Sequence, residues 1–542
     1  MAAILAFPLA GVTPASAAST TWAATATRAE TLVGATHLGA TAPTTPLRIS
    51  VALNLRSQPQ LQHVIASGTV LSRNQFVASY APTAASTKAV ASYLSSHGFT
   101  NVAVAANRLL VTASGTAATA ESAFHTSIEN YRQHGHTVFA NTQAAQVPAA
   151  LASTVGAVLG LNNAAKMNAG ATKTTATNPP SDCVVTGVGY PCTYNPQGLW
   201  QAYDATTAPT GAHTKIAIFA EGDVSGVVTD LRAEETANGL NQVPVTIEPT
   251  GPASSDTSGL DEWDMDTQYS SGMAATVSQL YIYDAATLND PDITSELNQF
   301  AADDTAVAGS ASFGECEFQA YLDGSMLADD EVFAEAAAQG QTVFSSAGDT
   351  GGFCPVGVGE NGVPAGVPDV NYPASSPFVV GAGGTTLVTN SDGSYDVEAA
   401  WVAGGGGPSI FESAPAWQSG IAPPTGTVCS ALVDLPCGRA VPDIAMDADP
   451  NSGANVYVAG TPEGVGGTSL SSPLALGVWA RIESAHQNAV GFAGPALYAA
   501  HATAAFHDII LGDTGPYPAT PGADFATGIG TFDVAQAASL VH

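Results

Sequence analysis

Hydrophobic and polar residues alternate along a short stretch that begins at Leu47. In LRISVALNL the apolar residues occupy every second position, which is the period of a strand with one buried face. Farther on, STKAVASYLSSHGF places Val90, Tyr93 and Leu94 at helical spacing and ends near Gly98, a residue type that commonly terminates helices. The pattern therefore predicts a strand followed by a helix.

Similar patterns continue to about residue 163. VAVAANRLLVTA is typical of two strands around an Asn-Arg turn, TAESAF of a helix, and ENYRQHGHTVFAN of a strand pair that turns at His134-Gly135. These elements predict a small α+β domain of the ferredoxin-like kind over residues 47–163. Residues 164–181 are rich in Thr, Ala and Pro, and a polar linker is predicted there.

Beyond the linker, short apolar runs that end in Gly, Asp or Ser alternate with helical stretches. The runs are TKIAIFAEG, SQLYIYDA, TAVAGSAS, QTVFSSAGD and PFVVGAGG, and DDEVFAEAAAQG is one of the helical stretches between them. Such alternation is typical of a parallel sheet covered by helices on both faces. We therefore expect residues 182–542 to form an α/β domain with functional side chains at the carboxyl ends of its strands.

The N-terminal residues differ from both of these regions. Residues 1–17, MAAILAFPLAGVTPASA, have an apolar stretch and an A-x-A ending, so a signal peptide is predicted although its basic start is missing. Residues 18–46 are rich in Ala and Thr without a convincing period, and we expect a loose leader. The rest of the chain has no uninterrupted run of 18 apolar residues, so no membrane span is expected.

Charge narrows the range of partners. The chain has 13 Lys and Arg against 46 Asp and Glu, which gives a formal net charge of −33. Nucleic acids and anionic membranes are recognised by basic surfaces, so neither is an expected partner. A pI near 4.2 suits an acidic medium, where protonated carboxyls no longer repel one another.

The six cysteines all lie beyond residue 180 and lack the paired C-x-x-C spacing of zinc sites. We therefore expect disulfides, and with them a secreted, extracellular protein. Short spacing favours the pairs Cys183–Cys192 and Cys429–Cys437, which leaves Cys316 for Cys354. The sequence leaves the other pairings open.

The stretch GVGGTSLSSP, residues 464–473, precedes the apolar run LALGVWARI. Its glycines and the following helix predict that Ser469 lies near a helix N-terminus, where the helix dipole favours developing negative charge. An ordinary Ser/Thr cap on a core helix would explain the same residues. A serine nucleophile also needs a base, and no histidine beyond the linker has the H-G-T setting of subtilisins.

Carboxyl groups supply an alternative base. In SGLDEWDMDTQYS, Glu262 and Asp266 are four residues apart, which places them one turn apart on the same helix face. Asp261 and Asp264 point elsewhere. Two close carboxyls share a proton and can accept the serine proton in acid. Asp349, in the Gly-rich turn of SSAGDTGG, is a third candidate, although an acidic surface and an ordinary turn would explain these residues as well.

Together, these motifs resemble those of the sedolisin family, the serine-carboxyl peptidases of the kumamolisin and tripeptidyl-peptidase kind. The resemblance also includes SASFGE, NYPASSPFVVGAGGT, GGGGPSIFESAPAWQ and RAVPDIAMDADP, and it covers nearly all of the chain after residue 45. Residues 47–163 resemble the pro-kumamolisin-type activation domain of the family. The implied fold is α/β and subtilisin-like, a mostly parallel sheet flanked by helices and preceded by the small α+β pro-domain.

The resemblance implies a role for each candidate residue. Ser469 matches the nucleophile, Glu262 the general base and Asp266 the acid that orients it. Asp349 matches the carboxyl that helps to form the oxyanion hole, a role that requires a protonated side chain. The implied enzyme is an acid-active serine peptidase, either an endopeptidase or a tripeptidyl-peptidase.

Near the C-terminus, FHDIILGDTGPYPATPGADFATGIG resembles the calcium site of the family. The implied ligands are the side chains of Asp508 and Asp524 and the carbonyl groups of Ile509, Thr520 and Gly522. All of these are oxygen ligands, which Ca²⁺ prefers. The chain departs from the family pattern at Thr520, where glycine is common, and at Ala523, where an aromatic residue is common.

The family resemblance also implies how the chain is made and used. The pro-domain is expected to cover the active site as an intramolecular inhibitor of a zymogen, with cleavage in the linker during maturation. Polypeptides are the expected substrates, and the chain is expected to act as a monomer. Two alternatives stay open: a subtilisin-type peptidase, for which SSHGFT at 95–100 is the nearest histidine setting, and a catalytically inactive relative that binds peptides.

Overall fold

The computed structural model describes residues 21–29, 32, 34–174, 192–358, 364–423 and 438–542, so the predicted signal peptide lies outside the described residues. The strands of the N-terminal part are β1 (Trp22–Ala24), β2 (Thr36–Ala40), β3 (Pro46–Leu53), β4 (Thr100–Val104), β5 (Leu110–Thr116), β6 (Ile128–Gln133), β7 (His136–Asn141), β8 (Gln146–Pro148) and β9 (Val155–Leu159). The helices are α1 (Gln58–Ala66), α2 (Arg73–Ser79), α3 (Ala84–Ser96) and α4 (Ala117–Phe124).

These elements form an α+β unit around a four-stranded antiparallel sheet in the order β4-β5-β3-β9. With α3 and α4 as connections, this order is that of a ferredoxin-like fold, as predicted. Its core contains Ile49 and Val51 of β3 together with Val90 and Leu94 of α3. The alternating pattern and the helical spacing in the sequence therefore identified the residues that pack together.

Two features of this unit differ from the prediction. The expected loose leader contains β1, which pairs with β8, and β2, which pairs with β6. Both strands are held by backbone hydrogen bonds at sheet edges, which require no hydrophobic period in the sequence. The helices α1 and α2 were also not predicted, because few of their residues are buried: Leu61 and Ile65 in α1 and Phe76 in α2.

The region beyond residue 163 is longer than the N-terminal unit and contains both strands and helices. Its strands are β10 (Asn168–Ala169), β11 (Thr172–Lys173), β12 (Lys215–Glu221), β13 (Val245–Pro249), β14 (Gln279–Ala285), β15 (Ala308–Ala311), β16 (Phe313–Cys316), β17 (Thr342–Ser346), β18 (Phe353–Val358), β19 (Pro364–Pro368), β20 (Asn371–Tyr372), β21 (Val380–Thr389), β22 (Tyr395–Ala400), β23 (Gly407–Ser413), β24 (Gly438–Val441), β25 (Ile444–Asp447), β26 (Ala454–Val458), β27 (Thr461–Gly466), β28 (Phe506–His507) and β29 (Thr531–Phe532). Its helices are α5 (Pro196–Ala202), α6 (Val227–Asn238), α7 (Leu260–Met273), α8 (Asp290–Asp303), α9 (Glu317–Asp323), α10 (Ser325–Ala338), α11 (Thr468–Ala485), α12 (Ala493–Ala500) and α13 (Val534–Leu540).

The central sheet has the order β13-β14-β12-β15-β17-β21-β22, and β25 also pairs with β21. All of these pairings are parallel except that between β21 and β22. Residues 216–221 of β12 are all buried, so helices cover both faces of the sheet. The predicted mostly parallel sheet flanked by helices is confirmed. Within the described ranges, no helix has the length and hydropathy needed to cross a bilayer.

The N-terminal α+β unit packs on helices α8 and α10 of the second region, which contact β3 and β9. Asn107 is fully buried and donates from Nδ2 to Asn298 Oδ1 at 2.7 Å and to Glu335 Oε2 at 2.6 Å. The N–H of Leu55 donates to Glu331 Oε2 at 2.9 Å. Burial raises the pKa of Glu331 and of Glu335 to about 8. The interface is therefore held in part by buried polar contacts to two glutamates of α10.

Candidate active site

Helix α7 holds three carboxyl groups in the protein interior, and two of them lie on one face. Glu262 and Asp266 are both fully buried, and their spacing of four residues places them on one face of the helix. Trp263 fixes the start of the helix, because its Nε1–H donates to the carbonyl oxygen of Glu221 at 2.9 Å. A Cβ at Gly259 would approach that indole to 2.6 Å, so glycine is required just before the helix.

Burial dominates the protonation of this carboxyl pair. It raises the pKa of Glu262 well above its usual range, and the charge of Asp266 raises it further, whereas the nearby Ser469 hydroxyl lowers it. Burial also raises the pKa of Asp266, and a hydrogen bond from Ser312 opposes that rise. Neither carboxylate oxygen of Glu262 has a hydrogen bond of regular geometry within the described ranges, so the Ser469 contact is loose. The two carboxyl groups therefore titrate as a coupled pair.

Ser469 is the second residue of α11 and is buried. Gly467, just before the helix, has a φ of +119°, and a Cβ there would meet Asp349 Oδ2 at 2.5 Å. Pro473 lacks the N–H that would bond the Ser469 carbonyl in a regular helix, and Ser312 Oγ approaches that carbonyl at 3.2 Å instead. The motif thus builds an open first turn, in which the N–H of Ser469 has no intrahelical partner.

Ser312 lies between Ser469 and the acid pair. Its Oγ is 2.7 Å from Asp266 Oδ1 and 3.2 Å from the carbonyl oxygen of Ser469. A hydroxyl has a single hydrogen, so both contacts are full hydrogen bonds only when Asp266 is protonated and donates to Ser312. The sequence analysis gave Ser312 no role, although its position directly after β15, at the carboxyl end of a central strand, is a signal for a functional residue.

Asp349 follows β17 and faces the start of α11. Its Oδ1 accepts hydrogen bonds from the backbone N–H and the hydroxyl of Thr468, both at 2.8 Å. The hydroxyl of Thr172, in the linker, lies 3.5 Å from Oδ2. Burial raises the pKa of Asp349, and the hydrogen bonds from both threonines oppose the rise. As a whole residue, Asp349 is only partly buried.

The four residues singled out in the sequence therefore meet in one region. Ser469 lies near Glu262, and Asp349 contacts the residue that precedes Ser469. Asp264, which the helical spacing directed elsewhere, faces Asp230, and burial together with that neighbour raises its pKa to about 9. A buried pair of carboxyls next to a hydroxyl at a helix N-terminus can move a proton and stabilise negative charge.

The described histidines lie elsewhere. His97, in SSHGFT, packs against the ring of Tyr93 in the N-terminal α+β unit. The histidines after the linker contact other parts of the chain: His213 next to Asn488, His486 next to Ala538, His501 next to Tyr498, and His507 stacked on Tyr395. The setting of Ser469 therefore differs from that of a subtilisin-type triad.

The linker passes along the same region. β10 pairs antiparallel with β16, with Asn168 opposite Gly314, and β11 pairs antiparallel with β27, with Thr172 opposite Gly466. β16 follows the central strand β15, and β27 ends three residues before Ser469. The part of the predicted polar linker that the structure describes is therefore partly strand. Its Thr and Ala composition gave no sign of this, because the contacts are made by the backbone.

One predicted disulfide can be compared with the structure. Cys316 and Cys354 are bonded, as the sequence analysis expected. Cys192 is disulfide-bonded too, whereas its predicted partner Cys183 lies outside the described residues. The predicted pair Cys429–Cys437 also lies outside them.

One loop near the C-terminus contacts both carboxylates among the five implied calcium ligands. The N–H of Gly522 is 3.0 Å from Asp508 Oδ2, and the N–H of Thr520 is 2.6 Å from Asp524 Oδ2, so residues 520–524 form a loop that links both carboxylates. The carbonyl oxygens of Ile509, Thr520 and Gly522 accept no hydrogen bond from another residue of the described ranges. Two carboxylates and three such carbonyls form an all-oxygen donor set, which fits Ca²⁺.

Comparisons with known proteins bear on the same regions. Residues 33–164 match the family model described as Pro-kumamolisin, activation domain, whose start falls within the expected leader. The chain is 36% identical to sedolisin of Pseudomonas sp. (strain 101), over 100% of this chain and 96% of that protein. It is 35% identical to xanthomonalisin of Xanthomonas sp. (strain T-22), over 96% of this chain and 69% of that protein.

A solved structure of Pseudomonas sedolisin, a serine-carboxyl proteinase complexed with two molecules of pseudo-iodotyrostatin, superposes with a TM-score of 0.58 at 38% identity. The superposition covers 65% of this chain and 98% of the sedolisin chain. The fold, the candidate site and the similarity to these proteins together define a serine-type peptidase with a subtilisin-like catalytic domain. The chain belongs to the sedolisin family of serine-carboxyl peptidases, and it carries the pro-domain of a zymogen.

Proposed function

We propose that this chain is a secreted peptidase, active in acid, that cleaves polypeptides with Ser469 as nucleophile, Glu262 as general base and Asp266 as the acid that orients Glu262. Asp349 donates to the oxyanion. The observation that carries the proposal is the burial of Glu262 and Asp266 side by side near the hydroxyl of Ser469. Secretion is supported by the predicted signal peptide and by the disulfide between Cys316 and Cys354.

The proton transfers follow from this arrangement. Ser469 attacks the scissile carbonyl carbon while Glu262 takes the hydroxyl proton, and Asp266 keeps its own proton because burial raises its pKa. The N–H of Ser469 and a protonated Asp349 hold the oxyanion, and one such donor stabilises the transition state by roughly 3–4 kcal/mol. Glu262 then protonates the leaving amine, and water repeats the sequence on the acyl-enzyme.

Acid dependence follows from the two protonation states that this mechanism requires. The Glu262–Asp266 pair must carry one negative charge, whereas Asp349 must be neutral to donate. The raised pKa of Asp349 supports its protonation in acid. We expect activity below about pH 5 and almost none at pH 7, because Asp349 can donate to the oxyanion only while it keeps its proton, and carboxyls lose their protons as the pH rises.

We further propose that the chain converts itself, by cleavage between residues 164 and 181, from a precursor with a pro-domain at 47–163 to a catalytic domain at 182–542. The passage of the linker between β16 and β27, beside Ser469, supports self-cleavage. The test compares the full chain with its Ser469→Ala and Ser472→Ala variants after transfer from pH 7 to pH 4. Ser472 is the matched control, because it lies one turn after Ser469 in α11 and its hydroxyl contacts Ser310 of β15 instead of the acid pair.

Wild-type and Ser472→Ala chains should shorten and hydrolyse a denatured protein, whereas Ser469→Ala should stay at full length and be inactive. Mass spectrometry of the chains and of the products measures both effects. Normal conversion of purified Ser469→Ala protein contradicts the proposal. An inactive wild-type chain that binds denatured protein would instead support the peptide-binding alternative.

We also propose that Asp508 and Asp524, with the carbonyls of Ile509, Thr520 and Gly522, hold a structural Ca²⁺. The ion would neutralise two carboxylates that a single loop brings together, and it would thereby stabilise the C-terminal region. Burial raises the pKa of Asp524, which is consistent with a carboxyl that benefits from a cation.

The calcium proposal predicts that a chelator lowers the unfolding temperature of the Ser469→Ala chain at pH 5 by several degrees, and that added Ca²⁺ restores it. Calorimetry with and without chelator measures the shift. Asp508→Asn should remove the response, whereas Asp513→Asn, a nearby exposed carboxylate outside the ligand set, should keep it. Unchanged stability of the parent chain in chelator contradicts the site.

A further inference from the structure

Two strand pairings fix the position of each linker residue along the active site. β10 sets Ala169 opposite Phe313, and β11 sets Thr172 opposite Gly466. Both pairings are antiparallel, and they engage different strands of the catalytic domain. The Gly170–Ala171 peptide bond lies between the two pairings, where the linker crosses from one strand to the other.

The two registers place this bond beside residues that neighbour Ser469. Continuing each register by one residue places its two residues opposite Ser312 and Gly467. Ser312 Oγ is 3.2 Å from the carbonyl oxygen of Ser469, and Gly467 is two residues before Ser469 in the chain. The linker therefore lies along the active site as a substrate does, and residues after Ala171 occupy the side from which the amine product leaves.

On that side, the structure holds one cationic side chain between two carboxylates. Lys173 Nζ is 2.8 Å from Glu463 Oε2 and 3.3 Å from Asp261 Oδ2. Glu463 belongs to β27, and Asp261 lies in the first turn of α7, directly before Glu262. The hydrogen bond to Glu463 and the nearness of Asp261 raise the pKa of Lys173. Both acids belong to the catalytic domain, so they remain there after the linker leaves.

We propose that Asp261 and Glu463 form a substrate subsite that favours lysine or arginine at the third residue after the cleaved bond. The inference rests on the proposed function and extends it to substrate selection. Lys173 is the third residue after the Gly170–Ala171 bond, so the linker itself places a lysine side chain in this subsite. Since this side chain is half-exposed, the preference is modest, three- to fivefold in kcat/KM.

The test uses mature enzyme and pairs of synthetic peptides that share one cleaved bond and differ only at the third residue after it, Lys against Gln. Assays at pH 4.5 give the ratio of kcat/KM for each pair. The wild-type ratio should be three to five, and it should approach one in 0.5 M salt, because exposed ion pairs are screened. The ratio cancels effects on the chemical step that are common to both peptides.

In the double variant Asp261→Asn/Glu463→Gln the ratio should fall to one, whatever change in rate the two peptides share. Asp256→Asn, an exposed carboxylate in the loop before α7, is the matched control and should keep the wild-type ratio. A ratio of one in the wild-type enzyme, or an unchanged ratio in the double variant, overturns the subsite. Failure to cleave either peptide would instead contradict the proposed peptidase function.

Discussion

The pro-domain and the catalytic domain differ most in their charged residues. Residues 1–163 contain seven Lys and Arg against three Asp and Glu, whereas residues 182–542 contain four against 43. Several acids of the second region are almost fully buried, namely Glu234, Glu296, Asp329, Glu335 and Glu483. The carboxyl groups thus lie almost entirely in the catalytic domain, which teaches that the protonation of carboxylates in acid acts mainly on the enzyme and little on its inhibitor.

The largest effect that follows concerns stability. Burial raises the pKa of Glu234 and of Glu483 to about 7. A carboxyl whose pKa is higher in the folded than in the unfolded chain binds its proton more tightly when folded. Its contribution to stability is therefore complete below an unfolded pKa of ~4.3 and is lost as the pH rises through 7. Each unit of such a shift is worth about 1.4 kcal/mol.

We therefore predict that the Ser469→Ala chain is most stable near pH 4 and loses several kcal/mol of unfolding free energy by pH 8. Thermal unfolding across this pH range measures the change. Glu483→Gln should flatten the profile between pH 5 and 7, because the amide does not titrate, although its one oxygen can take the place of only one of the two carboxylate oxygens that accept from Val490 and Gly491. A maximum of stability at pH 7 or above would refute this difference between the two regions.

A smaller effect is expected where the two regions meet. Asn107→Ala removes the donor to Asn298 and Glu335, which leaves buried acceptors unpaired at a cost of about 1–3 kcal/mol. The precursor should unfold at a lower temperature and convert faster at pH 5. Asn74→Ala, at an exposed position of α2, is the control and should change neither property. Equal conversion rates of the two variants would show that this contact does not hold the pro-domain in place.

The sequence predicted the elements whose contacts are local or periodic. Local patterns were enough to predict β3 from its alternation, the central strands from their apolar runs, and the Glu262–Asp266 pair from its spacing. No local pattern predicts the path of the linker, because β11 pairs with a strand almost 300 residues away through backbone groups alone. Glu331 and Glu335 were likewise unexceptional within DDEVFAEAAAQG, since their burial depends on the pro-domain that covers α10.

The candidate site also combines residues that local sequence patterns predict with a residue that only the fold identifies. The motif around Ser469 and the acids of α7 were recognisable as residue types at fixed spacing. Ser312 gained its role only from the fold, which places it between Asp266 and the carbonyl of Ser469. Single polar residues at strand ends become functional candidates when the neighbouring elements are known.

The central claim is that a buried carboxyl pair in the catalytic domain performs the proton transfer. Glu262→Gln tests it most directly, with Asp264→Asn, a buried acid of the same helix that faces Asp230, as the control. Peptide hydrolysis by acid-treated chains is measured from pH 3 to pH 7, with calorimetry to verify folding. The account predicts that Glu262→Gln loses about a thousandfold in rate at every pH, while Asp264→Asn stays within tenfold of wild type. A folded Glu262→Gln chain that cleaves peptides as fast as wild type would contradict it.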